Sequence, residues 1–143
     1  MAIINPHLSF QGNCEEAFNF YKSVFGGDFS ALNRYKDMPP NPEHPLLEVD
    51  KEKIMHIALP LSKETVLMGG DAPESIHKVI TAGNNFGLSV RVDTLEEAER
   101  ILAHLAMGGK VFMPIAKAFW GDYFGMVTDK FCYDWMISCK IAE

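Results

Sequence analysis

The chain carries one order of signals twice. Leu8-Ser9 is followed by Glu15-Glu16-Ala17 and then by Gly26-Gly27; Leu88-Ser89 is followed by Glu96-Glu97-Ala98 and then by Gly108-Gly109. In each copy an apolar run predicts a strand. A cap residue with Glu three positions on predicts a helix start, and a glycine pair predicts its end. A repeat of this kind indicates internal duplication.

In the first copy Ile4, Leu8 and Phe10 alternate with Asn5, His7 and Ser9, which predicts a strand over Ile3–Phe10 with Pro6 pushing its start toward an edge. Asn13 is the expected N-cap, with Glu16 as its box partner. Ala17, Phe18, Tyr21, Val24 and Phe25 form the helical stripe. Further strands are expected over Asp28–Tyr35, Lys53–Leu61 and Thr65–Met68, and Gly69-Gly70-Asp71 closes the unit. Asp37–Pro45, "DMPPNPEHP", holds four prolines and reads as an irregular loop. Ala72–Asn85 reads as a polar connection.

The second copy starts with a strand over Phe86–Val92. Thr94 is the expected cap, with Glu97, and Ala98, Ile101, Leu102 and Leu105 make the stripe. Strands are expected over Lys110–Ile115, Tyr123–Thr128 and Trp135–Ile141. The pattern is α+β: tandem βαβββ modules over 1–71 and 84–143 in one domain, 1–143. Two such modules can curl their mixed sheets into a half-barrel around a shared cleft, where a ligand would bind.

Charge and cysteine content narrow the function classes. The net charge is −6 and no dense Lys/Arg cluster occurs, so no nucleic acid is expected as a partner. The three cysteines, Cys14, Cys132 and Cys139, lack paired spacing and read as reduced thiols of a cytoplasmic protein. A Cys132–Cys139 pair across a hairpin is the disfavoured alternative. The N-terminus lacks a basic, then apolar, leader pattern. The longest apolar stretch, near Ile54–Leu61, is too short to span a bilayer, so no membrane partner is expected.

Few residues offer catalytic chemistry. G-x-S-x-G, a phosphate-cradling glycine loop and H-E-x-x-H are all absent. Cys14 stands at a helix start, where amide dipoles lower a thiol pKa, and is the one nucleophile to weigh. Phe119–Met136, "FWGDYFGMVTDKFCYDWM", holds seven aromatic residues. They read either as core at the end of the sheet or, for Phe119, Trp120 and Tyr123, as a hydrophobic mouth for an apolar or planar ligand. Trp120 in the glycine-flanked "WGD" favours the second reading.

The chain resembles the vicinal oxygen chelate superfamily, which includes glyoxalase I, the fosfomycin- and bleomycin-resistance proteins and the extradiol dioxygenases. Within it the resemblance is to the PhnB-like branch, often labelled 3-demethylubiquinone-9 3-methyltransferase-like. "LSFQGNCEEAFNFYKSVFGG" (Leu8–Gly27), "IMHIAL" (Ile54–Leu59), "FWGDYFGMVTDKF" (Phe119–Phe131) and "WMIS" (Trp135–Ser138) carry it. The resemblance implies a glyoxalase-like fold and a homodimer. It does not imply one reaction, because one fold hosts many chemistries. Nothing in the chain supports the methyltransferase label.

The superfamily's usual divalent metal is held by His, Gln or Glu. The resemblance puts those positions at Asn5, Met68, Asn85 and Met136. Asn is a weak neutral donor and Met a soft thioether, and neither suits a hard metal, so no metal and no cofactor are expected. Where the branch carries Gly then His, this chain has Cys132 and Tyr133, which puts the usual turn geometry in doubt. His7, on the strand face of Asn5, and His56, in "IMH", read either as partly buried histidines bonded to backbone or water, or as candidates for a rearranged metal site or for acid–base work. His44, His77 and His104 read as surface residues.

Three functions compete. The first is a small-molecule-binding protein whose site comprises Asn5, His7, His56, Met68, Asn85, Phe119, Trp120, Tyr123 and Met136. The alternative is a metal-dependent lyase, isomerase or transferase built on His7 and His56. The third is a non-catalytic partner protein. The residues leave open whether the chain is an enzyme.

Overall fold

The computed structural model describes residues 1–142. The chain divides into two compact units, one running to Thr81 and the other starting at Ala82.

The first unit contains β1 (His7–Phe10), α1 (Cys14–Phe25), β2 (Ala31–Arg34), β3 (Ile54–Pro60) and β4 (Val66–Asp71). Its sheet order is β1-β4-β3-β2; β1 and β4 are parallel and the other pairs antiparallel. Strand alternation sends Leu8, Phe10, Ile57, Leu59 and Leu67 to one face, where all are buried. Against it α1 lays Ala17, Phe18, Tyr21 and Val24, also buried. The close packing explains Gly69: a Cβ there would fall 2.5 Å from Phe18 Cε1. Gly26 closes α1 at φ 80°, a positive-φ conformation that glycine adopts without steric cost.

The second unit contains β5 (Gly87–Val92), α2 (Leu95–Leu105), β6 (Lys110–Lys117), β7 (Asp122–Thr128) and β8 (Asp134–Lys140), in sheet order β5-β8-β7-β6. Here β5 and β8 are the parallel pair. Val127, Trp135, Ile137 and Cys139 are buried on the α2 side with Ala98, Ile101 and Leu105. The expected βαβββ order therefore holds in both units as two four-stranded mixed sheets. Among the described residues, no helix is long and apolar enough to cross a membrane.

Several local expectations are corrected. The side chain of Asn13 makes no cap hydrogen bond. Its work is done by the buried carboxylate of Asp71, which accepts from the N–H groups of Gly12 (2.9 Å), Cys14 (3.0 Å) and Ile54 (2.8 Å). The second helix is capped as expected, with Thr94 Oγ1 accepting from Glu97 N at 3.2 Å. There Asp129 is the buried tether, accepting from Phe131 N, Tyr133 N and Trp135 Nε1. The segment after Asp71 stays with the first unit. The amide of Gln11 donates to the Lys78 carbonyl and accepts from Ile80 N.

The cysteines are free: Cys14 and Cys139 are buried and Cys132 is exposed. Cys132 keeps φ at 72°, so the turn retains the left-handed geometry that glycine would supply.

Candidate functional site

In each unit the sheet face turned away from the helix gathers the chemistry-bearing residues. In the first unit the alternation places His7 and Ser9 of β1, Met68 and Gly70 of β4, and His56 and Ala58 of β3 on that face. His7 is in register with Met68, which is in register with Ala58. His7 and His56 stand on strands separated by β4, about 10 Å apart by ordinary strand spacing. Their rings nevertheless lean together, with centroids 6.5 Å apart and planes inclined by 19°. Gly70, on the intervening strand, contributes no side chain between them.

Burial pushes the His7 pKa below its ordinary value, and repulsion from His56 lowers it further. A neutral imidazole keeps a ring nitrogen free to accept a proton or to donate to a late transition metal.

Asn5 lies before β1, and its amide oxygen accepts from Val66 N at 3.1 Å. It extends the pairing of β1 with β4 where Pro6 has no N–H to give. That oxygen is the donor Asn5 would bring to a metal, and one of its two lone pairs is engaged by Val66 N. Asn85 is exposed and precedes β5 without joining the strand. Neither asparagine, nor the thioethers of Met68 and Met136, makes a charged donor set for a hard cation. Among the described residues, neither unit contains a group of three or more His, Cys, Asp or Glu side chains able to hold a metal ion.

In the second unit the helix-free face holds a row of three methionines. Met136 of β8 is in register with Met126 of β7, and Met126 with Met113 of β6. Two residues along, Phe124 pairs with Ser138 and Ala116. Trp120 stands edge-on to Phe124, with ring centroids 5.4 Å apart, and Phe119 edge-on to Trp120 at 5.1 Å. Phe119 is 98% exposed and Trp120 53% exposed, so neither is core. Trp120 Nε1 donates to Asp122 Oδ2 at 3.1 Å. Arg91 of β5 donates to both oxygens of that carboxylate, at 3.2 and 3.0 Å. This pairing holds the Asp122 pKa below the ordinary carboxylate value.

Tyr123 does not share this face. It alternates with Gly125 and Val127, whose side faces α2, and pairs with Cys139. Phe124 occupies the position the sequence reading gave to Tyr123. Counting in twos back from Met126 would have found it. Arg91 and Asp122 were missed outright, because no local pattern joins residues on β5 and β7.

The remaining candidates are structural or superficial. Cys14 is fully buried, and burial, then Asp71 and Glu15, push its thiol pKa far up, which rules it out as a nucleophile. His44 and His77 are exposed and line a hollow beneath the proline loop with Tyr35, Met38, Leu47 and Ile76. His104 Nδ1 lies 2.9 Å from the Arg100 carbonyl on α2.

Residues 3–137 match the Glyoxalase/Bleomycin resistance protein/Dioxygenase superfamily, and the chain belongs to it. Within that class it is PhnB-like. It is 26% identical to a putative 3-demethylubiquinone-9 3-methyltransferase, PhnB protein, from Bacillus cereus, at a TM-score of 0.73 over 95% of this chain and 98% of that one. It is 36% identical to protein PA1353 from Pseudomonas aeruginosa, whose crystal structure superposes with a TM-score of 0.82 over 98% of both chains. Protein YjdN of Escherichia coli K12 is 28% identical over 94% of this chain and 93% of its own length.

Proposed function

We propose that this chain is a small-molecule-binding protein of the PhnB-like branch in which the superfamily's metal-ligand positions are given over to other work. One observation carries the reading: Met68 and Met136 put soft thioethers on the helix-free faces, while the oxygen of Asn5 accepts a backbone hydrogen bond from Val66 N. Thioethers and aromatic rings bind by area and polarisability, and adapt to ligands of more than one shape. The neighbouring His7 and His56 supply hydrogen-bonding groups. A homodimer in the cytoplasm, with no nucleic-acid or membrane partner, completes the proposal.

The test is a fluorescence titration with the neutral naphthalene dye prodan, run with and without excess chelator. Saturable binding at a fixed ratio per chain, unchanged by chelator, is the expected result. Binding that disappears with chelator would overturn the metal-free reading.

A second reading is favoured by the 6.5 Å approach of His7 and His56. In it the two imidazoles form part of a rearranged metal site in a lyase, isomerase or transferase. It predicts that His7→Ala and His56→Ala each abolish metal affinity. Unchanged affinity in both variants removes it.

A further inference from the structure

We infer that Asp122 and Arg91 are positioning residues that hold the Trp120 indole as a fixed platform for a neutral, planar aromatic ligand. This rests on the small-molecule reading above and narrows it to a ligand class.

A half-exposed tryptophan in a glycine-flanked loop ordinarily samples several rotamers. Trp120 is restrained from three directions. Its Nε1 donates to Asp122 Oδ2, its ring meets Phe124 edge-on on β7, and its backbone sits in a closed turn, while the nearly fully exposed Phe119 adds only an edge contact. The acceptor is itself restrained. Both Asp122 oxygens accept from Arg91, and the Asp122 side chain is only 18% exposed while that of Arg91 is 54% exposed. The clamp is anchored in two strands, since Arg91 is paired with Ser138 and Asp122 with Lys140.

The loop does not need this bond for its own shape. Its backbone is already closed: Ala118 N donates to the Asp122 carbonyl, Gly121 N to the Ala118 carbonyl, and Ile141 N to the Gly121 carbonyl. What the carboxylate adds is orientation of the ring. A preorganised aromatic ring loses little entropy when a second ring stacks on it. The charges of Arg91 and Asp122 are matched to each other, so the pair that orients the ring calls for no charge on the ligand. The adjoining methionine row continues the platform with polarisable groups.

A double-mutant cycle read by prodan affinity tests this. Stacking losses of this kind predict that Trp120→Ala raises Kd about tenfold. Asp122→Ala is expected to raise it severalfold in the wild-type background and not at all in the Trp120→Ala background. Asp122→Asn, which keeps an acceptor for Nε1, is expected to recover part of the loss. In Trp135→Phe protein, where Trp120 is the only tryptophan, Asp122→Ala is expected to lower indole anisotropy. Equal losses from Asp122→Ala in both backgrounds would overturn the inference, as would unchanged Kd in Trp120→Ala. If Asp122→Ala fails to fold, the same cycle with Arg91→Ala decides. Failure of the wild-type protein to bind prodan would overturn the small-molecule reading along with it. Tight wild-type binding insensitive to Trp120 would overturn only the platform.

Discussion

The imidazoles of His7 and His56 lie side by side across β4, 6.5 Å between centroids and 19° from parallel. Charge on His56 at that distance repels charge on His7 and so disfavours protonation of His7. Because burial is the larger cause, an NMR titration should place the His7 midpoint below 6.5 in the native protein and move it only part of the way back in His56→Ala. The sign for stability follows. The unfolded chain binds the His7 proton more readily, so stability falls as pH drops through 6.5 toward the folded midpoint and recovers as pH rises. A His7 midpoint unmoved by His56→Ala would contradict the pairing.

Asp71 joins three segments that are distant in sequence. Replacing it with Ala strands the N–H groups of Gly12, Cys14 and Ile54, two of these bonds being fully buried. Each unsatisfied buried donor costs about 1–3 kcal/mol, so denaturant unfolding should show a loss of roughly 3 kcal/mol or more. Asp71→Asn, which keeps an acceptor, should lose less. A loss below about 1 kcal/mol would mean that water replaces the carboxylate easily.

Gly69 marks how closely α1 approaches the sheet. The Cβ of Gly69→Ala would meet Phe18 Cε1 at 2.5 Å and the Leu8 carbonyl oxygen at 2.9 Å. Overpacking of this kind costs about 1–3 kcal/mol, readable as a lower Tm. Shortening the ring with Phe18→Leu should recover part of the loss in the double variant. The backbone contact should keep the recovery incomplete.

The thiols should separate by reactivity. Cys132 alone is exposed, while burial raises the pKa of both Cys14 and Cys139. An aromatic disulfide reagent should therefore label one thiol per native chain rapidly and the other two only on unfolding. Cys132 also holds φ at 72°, which costs a side chain about 1–2 kcal/mol relative to glycine. Cys132→Gly should leave Tm unchanged or raise it slightly, the glycine's extra unfolded-state freedom offsetting part of the relief.

The duplicated order of strand, capped helix and double glycine was readable because periodicity and helix ends are local signals. Every expected strand and both helices are present, with ends moved by a few residues. What escaped was long-range. The cap at Cys14 comes from Asp71, 57 positions away, and no pattern around Asn13 reveals that its own side chain makes no cap bond. The clamp from Arg91 to Asp122 spans 31 positions and two strands. Tyr123 and Phe124 were separated only by knowing which face β7 turns toward α2, a one-residue question that exchanges every side chain.

The proposed site holds no metal at the usual metal-ligand positions. The most direct test is elemental analysis of untagged protein, followed by calorimetric titration with nickel, manganese, ferrous iron and zinc ions. No stoichiometric ion in the purified protein and no tight binding in the titrations are expected. One tight ion per chain or per dimer, lost in His7→Ala or His56→Ala, would contradict the metal-free reading and establish the rearranged site.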